Sequence, residues 1–421
     1  MKTDPRMSRR ASRLMMAWSV LALGVLSTGC EPECTDASEC GAPAAGKRYV
    51  CEAERCQERD LEPTGPGDAG TDAGTDAGTD AGTDAGTDGG DPCASASHDS
   101  KLGTLRLQTG FSVAESVSYP TDIDAVTAVP GASGSDVYGV RVTDKSLYRL
   151  GTWPALAPST TPLQAIVPES DREGTIYLSA FLTQDGRRLL AGYTKLGSSF
   201  SDVPGKVLAY DVATPASSVY VSAPGNFSAA AVPGAFLLNG LGLEGVTGQE
   251  SAIYALRTSS TPFSGAKLAT FPVSGAYSGF TAVTRDDIAV LGYSLYPDNL
   301  LRAVTPAVYA SHVSAGTSFA LSDANSRAVY SGGDLQGVST FGAGVALHRG
   351  TFTSTQGVSR IALSINASDA NAAVVGPVVP VLTTSDTCTN VLTMAPLGAD
   401  LLLGVKDKNG HRLVRLQASA P

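Results

Sequence analysis

Aromatic and basic chemistry are both thin in this 421-residue chain. Phe, Trp and Tyr make up 6% of it, and Trp153 is the only tryptophan beyond residue 18. Stacked aromatic platforms for sugars are therefore hard to build; Tyr138, Tyr148, Tyr193, Tyr220, Tyr254 and Tyr293 fall in or beside strand patterns, where packing is the commoner task. The four histidines, His98, His312, His348 and His411, keep no metal-ligand spacing and have no neighbouring acid in a clear relation to them. His348 follows a strand and His411 a turn, so both read as surface residues. There is no Gly-x-Ser-x-Gly elbow and no phosphate loop; Gly197-Ser198-Ser199-Phe200-Ser201 has no partnered base. Asp286-Asp287 look like paired carboxylates, but adjacent strand-side positions point to opposite faces, so they read as turn residues. No basic stripe could follow a phosphate backbone, which excludes nucleic acid as a partner.

The acidity that gives the net charge of −10 has a definite address. Residues 61–93 carry Glu62 and seven aspartates with no base, and 30–60 carry eight acids against four bases. From Ala94 onward the charges nearly balance. Within the acidic stretch, 71–86 spell Thr-Asp-Ala-Gly four times, with a degenerate fifth copy in Thr87-Asp88-Gly89-Gly90. Such a segment has almost no apolar area to offset its ordering entropy, and it suits neither helix nor strand. It reads as a disordered linker over 61–92. From Thr64 to Asp91 it spans on the order of 100 Å when stretched and about 30 Å as a coil. A calcium-binding repeat would need several oxygen ligands in one short loop, which one Asp per four residues does not supply.

Residues 1–29 form an export signal. Lys2, Arg6, Arg9, Arg10 and Arg13 precede the apolar run Leu14–Leu26, which is too short for a stable span. Leu26-Ser27-Thr28-Gly29-Cys30 resembles the lipobox of bacterial lipoproteins, with Ser27 where that family usually has Leu. The resemblance implies that Cys30 becomes diacylated and N-terminal, a membrane anchor through its acyl chains. Glu31 and Pro32 follow, rather than the Asp that commonly retains such proteins at the inner membrane. Outer membrane or cell surface is the location this implies. An ordinary secretory signal, with Cys30 a spare structural cysteine, is the rival.

Seven cysteines make an odd count that a lipidated Cys30 explains. Cys34, Cys40, Cys51 and Cys56 define a small module over 30–60. In an oxidising compartment two disulfides would hold it, with three connectivities open. A zinc site is the alternative, but the intervening 5, 10 and 4 residues lack the Cys-x2-Cys knuckle. Cys93 and Cys388 remain.

From Ala94 the pattern is short period-two strands broken by Gly, Pro, Asn and Asp, with no convincing amphipathic helix. One unit recurs six times. Its first strand reads Thr127-Ala128-Val129, Ala180-Phe181-Leu182, Ala230-Ala231-Val232, Thr281-Ala282-Val283, Phe319-Ala320-Leu321 and Val391–Met394. Its second strand ends in Gly139, Gly192, Gly240, Gly292, Gly332 and Gly404. The third begins at Leu147, Val207, Ile253, Val308, Val345 and Leu413. This period predicts an all-β fold, a β-propeller of six blades over 93–421. The 72 residues between Gly332 and Gly404 leave room for a seventh blade within 351–387, or for an insertion. A pair of β-sandwiches is the alternative architecture. The second-strand glycines would suit a bulge or close backbone approach. Thr104–Gln108 alternates correctly for an N-terminal strand completing the last blade. A Cys93–Cys388 disulfide would fasten that segment, stabilising by around 4–5 kcal/mol.

Lipobox, cysteine module, Thr-Asp-Ala-Gly linker and propeller together resemble surface lipoproteins abundant in myxobacterial-type genomes. Most such proteins have no assigned activity; with no catalytic set in this sequence, the expected role is a non-enzymatic binding or scaffold domain without a cofactor, meeting an envelope protein or polymer. An envelope hydrolase or lyase using one propeller face, possibly metal-dependent as in calcium-dependent lactonases of the same fold, is the alternative. The expected inner strands contain Ala, Thr, Val, Leu and Phe and no acid, so that likeness lends no residues.

Overall fold

The computed structural model describes residues 47–52 and 55–60 and, within 93–419, all but 94–95, 170–175, 197–204, 226–227, 249, 260–261, 274–275, 296 and 351–355. Two compact units divide between Ala85 and Gly86. In the first, Lys47–Glu52 and Arg55–Asp60 pair as an antiparallel hairpin whose register sets Cys51 opposite Cys56. Cys30, Cys34 and Cys40, and the Thr-Asp-Ala-Gly linker, lie outside the described residues.

The second unit is a six-bladed β-propeller. Its six inner strands are Ile123–Gly131, Ile176–Gln184, Ser228–Val232, Tyr277–Val283, Leu335–Phe341 and Asn390–Leu397, which define blades 1 to 6. Each inner strand neighbours the next, and the last lies beside the first, so the ring closes. Every inner strand turns tightly into an antiparallel second strand, and the blade grows outward from there. We call the side bearing these turns the hairpin face. The opposite side, where the chain passes from one blade to the next, is the crossover face.

The two-sidedness of each blade explains the apolar runs. In the second strand of blade 3, Ala235–Gly240, successive side chains point to opposite faces. Phe236 and Leu238 enter the core shared with blade 2, while Leu237 enters the core shared with blade 4. Six separate apolar clusters result, one in each wedge between adjacent blades. Gly139, Gly192, Gly292 and Gly404 serve close approach, as their positions suggested. A Cβ at Gly192 would lie 2.4 Å from the Phe181 ring, and one at Gly404 would lie 2.5 Å from Thr393 Cγ2. Gly404 also pairs with Thr393 beside a bulge in the inner strand of blade 6.

Blade 5 is where the repeat misleads. Phe319-Ala320 is not an inner strand but a two-residue parallel addition to the edge of blade 3. Tyr330-Ser331-Gly332 belongs to the outer strand of blade 4, Arg327–Gly332. Val308-Tyr309-Ala310 lies in a helix, α1, Pro306–Ala315. Val345-Ala346-Leu347 is the second strand of blade 5 rather than its third. The long gap after Gly332 holds all four consecutive strands of blade 5, ending in Gly357–Asn366 and Asp369–Thr383, and among the described residues no seventh blade. The physical reason lies in α1. Its residues Val308, Tyr309 and Val313 have strand-like propensity, but Pro306 at the first turn and left-handed Gly316 after the last bracket a helix. Tyr309 and Val313, one turn apart, seal the wedge between blades 3 and 4.

Ring closure uses the N-terminus, through a different segment from the one expected. Arg106–Leu107 pairs with the outer strand of blade 5, not with blade 6. The closing strand is Phe111–Ser118, which lies antiparallel to Gly410–Ala418 at the outside of blade 6. Cys93 and Cys388 are joined, with Cα atoms 5.2 Å apart across 295 residues of sequence. Cys388 sits on the crossover between blades 5 and 6, so the disulfide pins the start of the domain to that junction.

Candidate functional site: the axial channel and its two rims

The inner strands converge on the axis, and their hairpin-face halves enclose a cavity of about 290 Å³. Thr127, Leu182, Ala231, Thr281, Thr340 and Met394 line it, one from each blade. Its walls are small, hydroxylic or apolar. Charge appears only at the rim, where Arg285 and Asp287 come from the turn between the first two strands of blade 4. Asp286 and Asp287 are turn residues, as their spacing suggested. Asp287 holds a left-handed backbone (φ 56°), a conformation in which Asp is less strained than most residues. Burial, and then the neighbouring Asp286 charge, push its carboxyl above the ordinary value.

Towards the crossover face the axis carries an acid that sequence reading missed. The inner strand of blade 1 begins at Ile123, four residues before Thr127, and so includes Asp124. Asp124 Oδ2 accepts a hydrogen bond from Ala180 N in the inner strand of blade 2 at 2.7 Å. Burial raises its pKa, against the Ala180 hydrogen bond and the positive charge of Lys145. Tyr119, buried at the wedge between blades 6 and 1, has its phenol pushed upward by burial and by the Asp124 charge. His411 packs its ring against Tyr119 with centroids 5.7 Å apart. Burial, then the Lys406 charge, lower the His411 pKa. The signal that could have revealed Asp124 was the alternation itself: Ile123, Ala125 and Thr127 continue the strand backwards past the acid. Among the described residues, no three His, Cys, Asp or Glu side chains gather as a ligand set.

The histidines are more structural than their sequence positions implied. His98 has an acid after all, 309 residues away: its Nδ1 lies 3.1 Å from Asp407 Oδ2, and its Nε2 lies 3.2 Å from Cys93 O. Arg412 Nη2 lies 2.8 Å from the same carboxylate oxygen. The Asp407 side chain is fully enclosed. Burial opposes its charge, but hydrogen bonds from Arg412, Asn409 N and His98 hold it below the usual carboxylate range. The strap continues with Thr104, which donates to Asp386 Oδ1 at 2.7 Å, while Thr104 N donates to Thr389 Oγ1 at 2.7 Å. Residues 96–105 thus lie sewn across the crossover face at blades 5 and 6.

His348 is buried, not superficial. It belongs to the second strand of blade 5, and its Nε2 lies 3.2 Å from Gln356 Oε1. Burial lowers its pKa against that hydrogen bond. His312 lies at the end of α1 with Nδ1 2.9 Å from Thr317 Oγ1. Tyr138, Tyr148, Tyr193, Tyr254 and Tyr293 are buried, and Tyr220 is half-buried, as packing residues would be. Gly197–Ser201 lie outside the described residues.

The geometry thus defines a propeller with a narrow, weakly charged axis. No protein-family model and no curated protein matches the chain. Solved structures with similarity to it include the β-propeller domain of Cps50 (Swd1) from Myceliophteria thermophila, at 12% identity and TM-score 0.43, covering 74% of this chain and 100% of that one. A putative gluconolactonase shows 10% identity and TM-score 0.39, covering 75% and 96%. A streptogramin B lyase shows 11% identity and TM-score 0.37, covering 74% and 88%.

Proposed function

We propose that this chain is a cell-envelope lipoprotein, anchored through acyl chains on Cys30 and held at the outer membrane or cell surface. Its propeller acts as a non-enzymatic binding or scaffold domain. The observation that carries the binding reading is the chemistry of the axis. The six inner strands contain Asp124 as their only acid, and no histidine, cysteine, lysine or arginine. A nucleophile, its base and the group that orients the base must meet within hydrogen-bond reach; these strands offer hydroxyls and one carboxylate, but no histidine or lysine to complete such a set. The partner is an envelope protein or polymer, and the hairpin face is the surface that meets it. The strap over blades 5 and 6 covers part of the other face, while the hairpin face leaves the channel open.

The second reading, an envelope hydrolase or lyase, is favoured by Asp124 alone, since a half-buried acid with a raised pKa at an axis is a frequent catalytic feature. One experiment separates the two. A photo-crosslinking residue replaces Gln184 or Gly398 on the channel rim, or Lys408 on the crossover face, and the full chain is irradiated in its native envelope. A single partner crosslinked from the rim positions and not from position 408, with binding unchanged in Asp124→Asn, is the expected result. Turnover of an envelope polymer that Asp124→Asn abolishes would establish the enzyme instead. Detergent-phase partitioning that survives Cys30→Ser would refute the anchor.

A further inference from the structure

On the hairpin face, beside the channel, a cleft of about 500 Å³ opens between blades 3 and 4 under α1. That is within the range of small-ligand clefts, roughly 300–1,000 Å³. One cation and one carboxylate, Arg257 and Asp287, line it. Among the described residues, the Arg257 guanidinium makes one hydrogen bond, Nη1 to Ser314 O at 3.3 Å, beside the last carbonyls of α1. Neither charge forms an ion pair with any described residue, and they do not pair with each other. Opposite charges left unpaired across one concave site are an arrangement that a ligand carrying both signs can neutralise.

The walls between them are apolar. Pro306, Tyr309 and Val313 present ring and aliphatic surface, with the Ser264 hydroxyl at the margin. Tyr309 is fixed by its own hydroxyl, which donates to Asp287 O at 2.6 Å. That bond ties helix and turn together, so the apolar wall and the backbone that bears the carboxylate keep one relative position. The site is preformed, which lowers the ordering cost of binding.

We infer that this cleft binds short apolar peptides through their free termini, with Arg257 receiving the carboxylate and Asp287 the ammonium group. A peptide of two to four residues carries both charges and, within a cleft of about 500 Å³, lays more apolar side chain on the wall than a single amino acid does. Asp287 stands at the rim of both cleft and channel, but peptide binding is read on the purified chain alone and needs no macromolecular partner.

The test is calorimetric titration of the full chain with leucine, Ala-Leu and Ala-Ala-Leu, each also N-acetylated and C-amidated. At least one free peptide binds more tightly than leucine, and blocking either terminus weakens it tenfold or more. In Asp287→Asn, acetylation ceases to matter while amidation still does. Asn accepts the left-handed backbone as Asp does, so this variant keeps the turn. Arg257→Gln shows the converse; should the loss of its Ser314 bond unfold that variant, the Asp287→Asn titration decides alone. No binding of any peptide at millimolar concentration, or equal binding of free and blocked forms, overturns the inference. Neither outcome depends on the envelope crosslinks.

Discussion

A few side chains carry disproportionate weight because they are enclosed without freedom to adjust. Asp407 is the clearest. Substituting it with Ala leaves Arg412 buried without its partner and should cost about 3–5 kcal/mol, read as a lowered denaturant midpoint. Its contribution also has a definite pH sign. The folded pKa is depressed, so the stabilisation is fully present above the ordinary carboxylate value and disappears as pH falls through the folded one. Wild type should therefore lose stability in acid more steeply than Asp407→Asn. Asp124 has the opposite sign. Its folded pKa is raised, so ionisation destabilises the fold as pH rises past the unfolded value, and Asp124→Asn should raise the melting temperature at pH 7. Gly192 is constrained by contact rather than charge. A methyl there meets the Phe181 ring, and Gly192→Ala should cost about 1–3 kcal/mol.

Among the elements, strands were legible and the helix was not. Short apolar runs marked Ala230–Val232 and Leu413–Leu416 because both faces of each blade are buried, and that burial writes itself directly into the sequence. Blade 5 failed for a related reason. Val308, Tyr309 and Val313 are apolar because α1 covers a wedge, and an apolar triplet does not say which geometry covers it. The bracketing Pro306 and Gly316 did say so. Asp124 went unseen because the strand was read from its apolar centre outward, and a polar residue at a strand start resembles a loop. The Cys93–Cys388 pair was legible by subtraction, whereas His98 and Asp407 were not, since nothing local relates residues so far apart. One test belongs to α1. Tyr309→Phe removes the hydroxyl bonded to Asp287 O and should cost about 0.5–1.5 kcal/mol.

For the whole molecule, stability is distributed over six wedges, and two devices convert the ring from open to closed. The strand Phe111–Ser118 supplies the missing edge of blade 6, and the disulfide fixes the segment that leads to it. Replacing both Cys93 and Cys388 with Ser should lower stability by about 4–5 kcal/mol, measured by denaturant unfolding without reductant. A non-reduced digest should yield one peptide pair joining these two cysteines.

Closure of this kind also sets a schedule. The closing strand Phe111–Ser118 leaves the ribosome early, and its strand partner among the described residues is the last strand, Gly410–Ala418. At about 5–20 residues per second, that interval is roughly 15–60 s. Throughout it Phe111–Ser118 remains an unpaired edge, and Cys93 waits for Cys388 to be made. The molecule therefore depends on whatever shields that edge until its partner arrives.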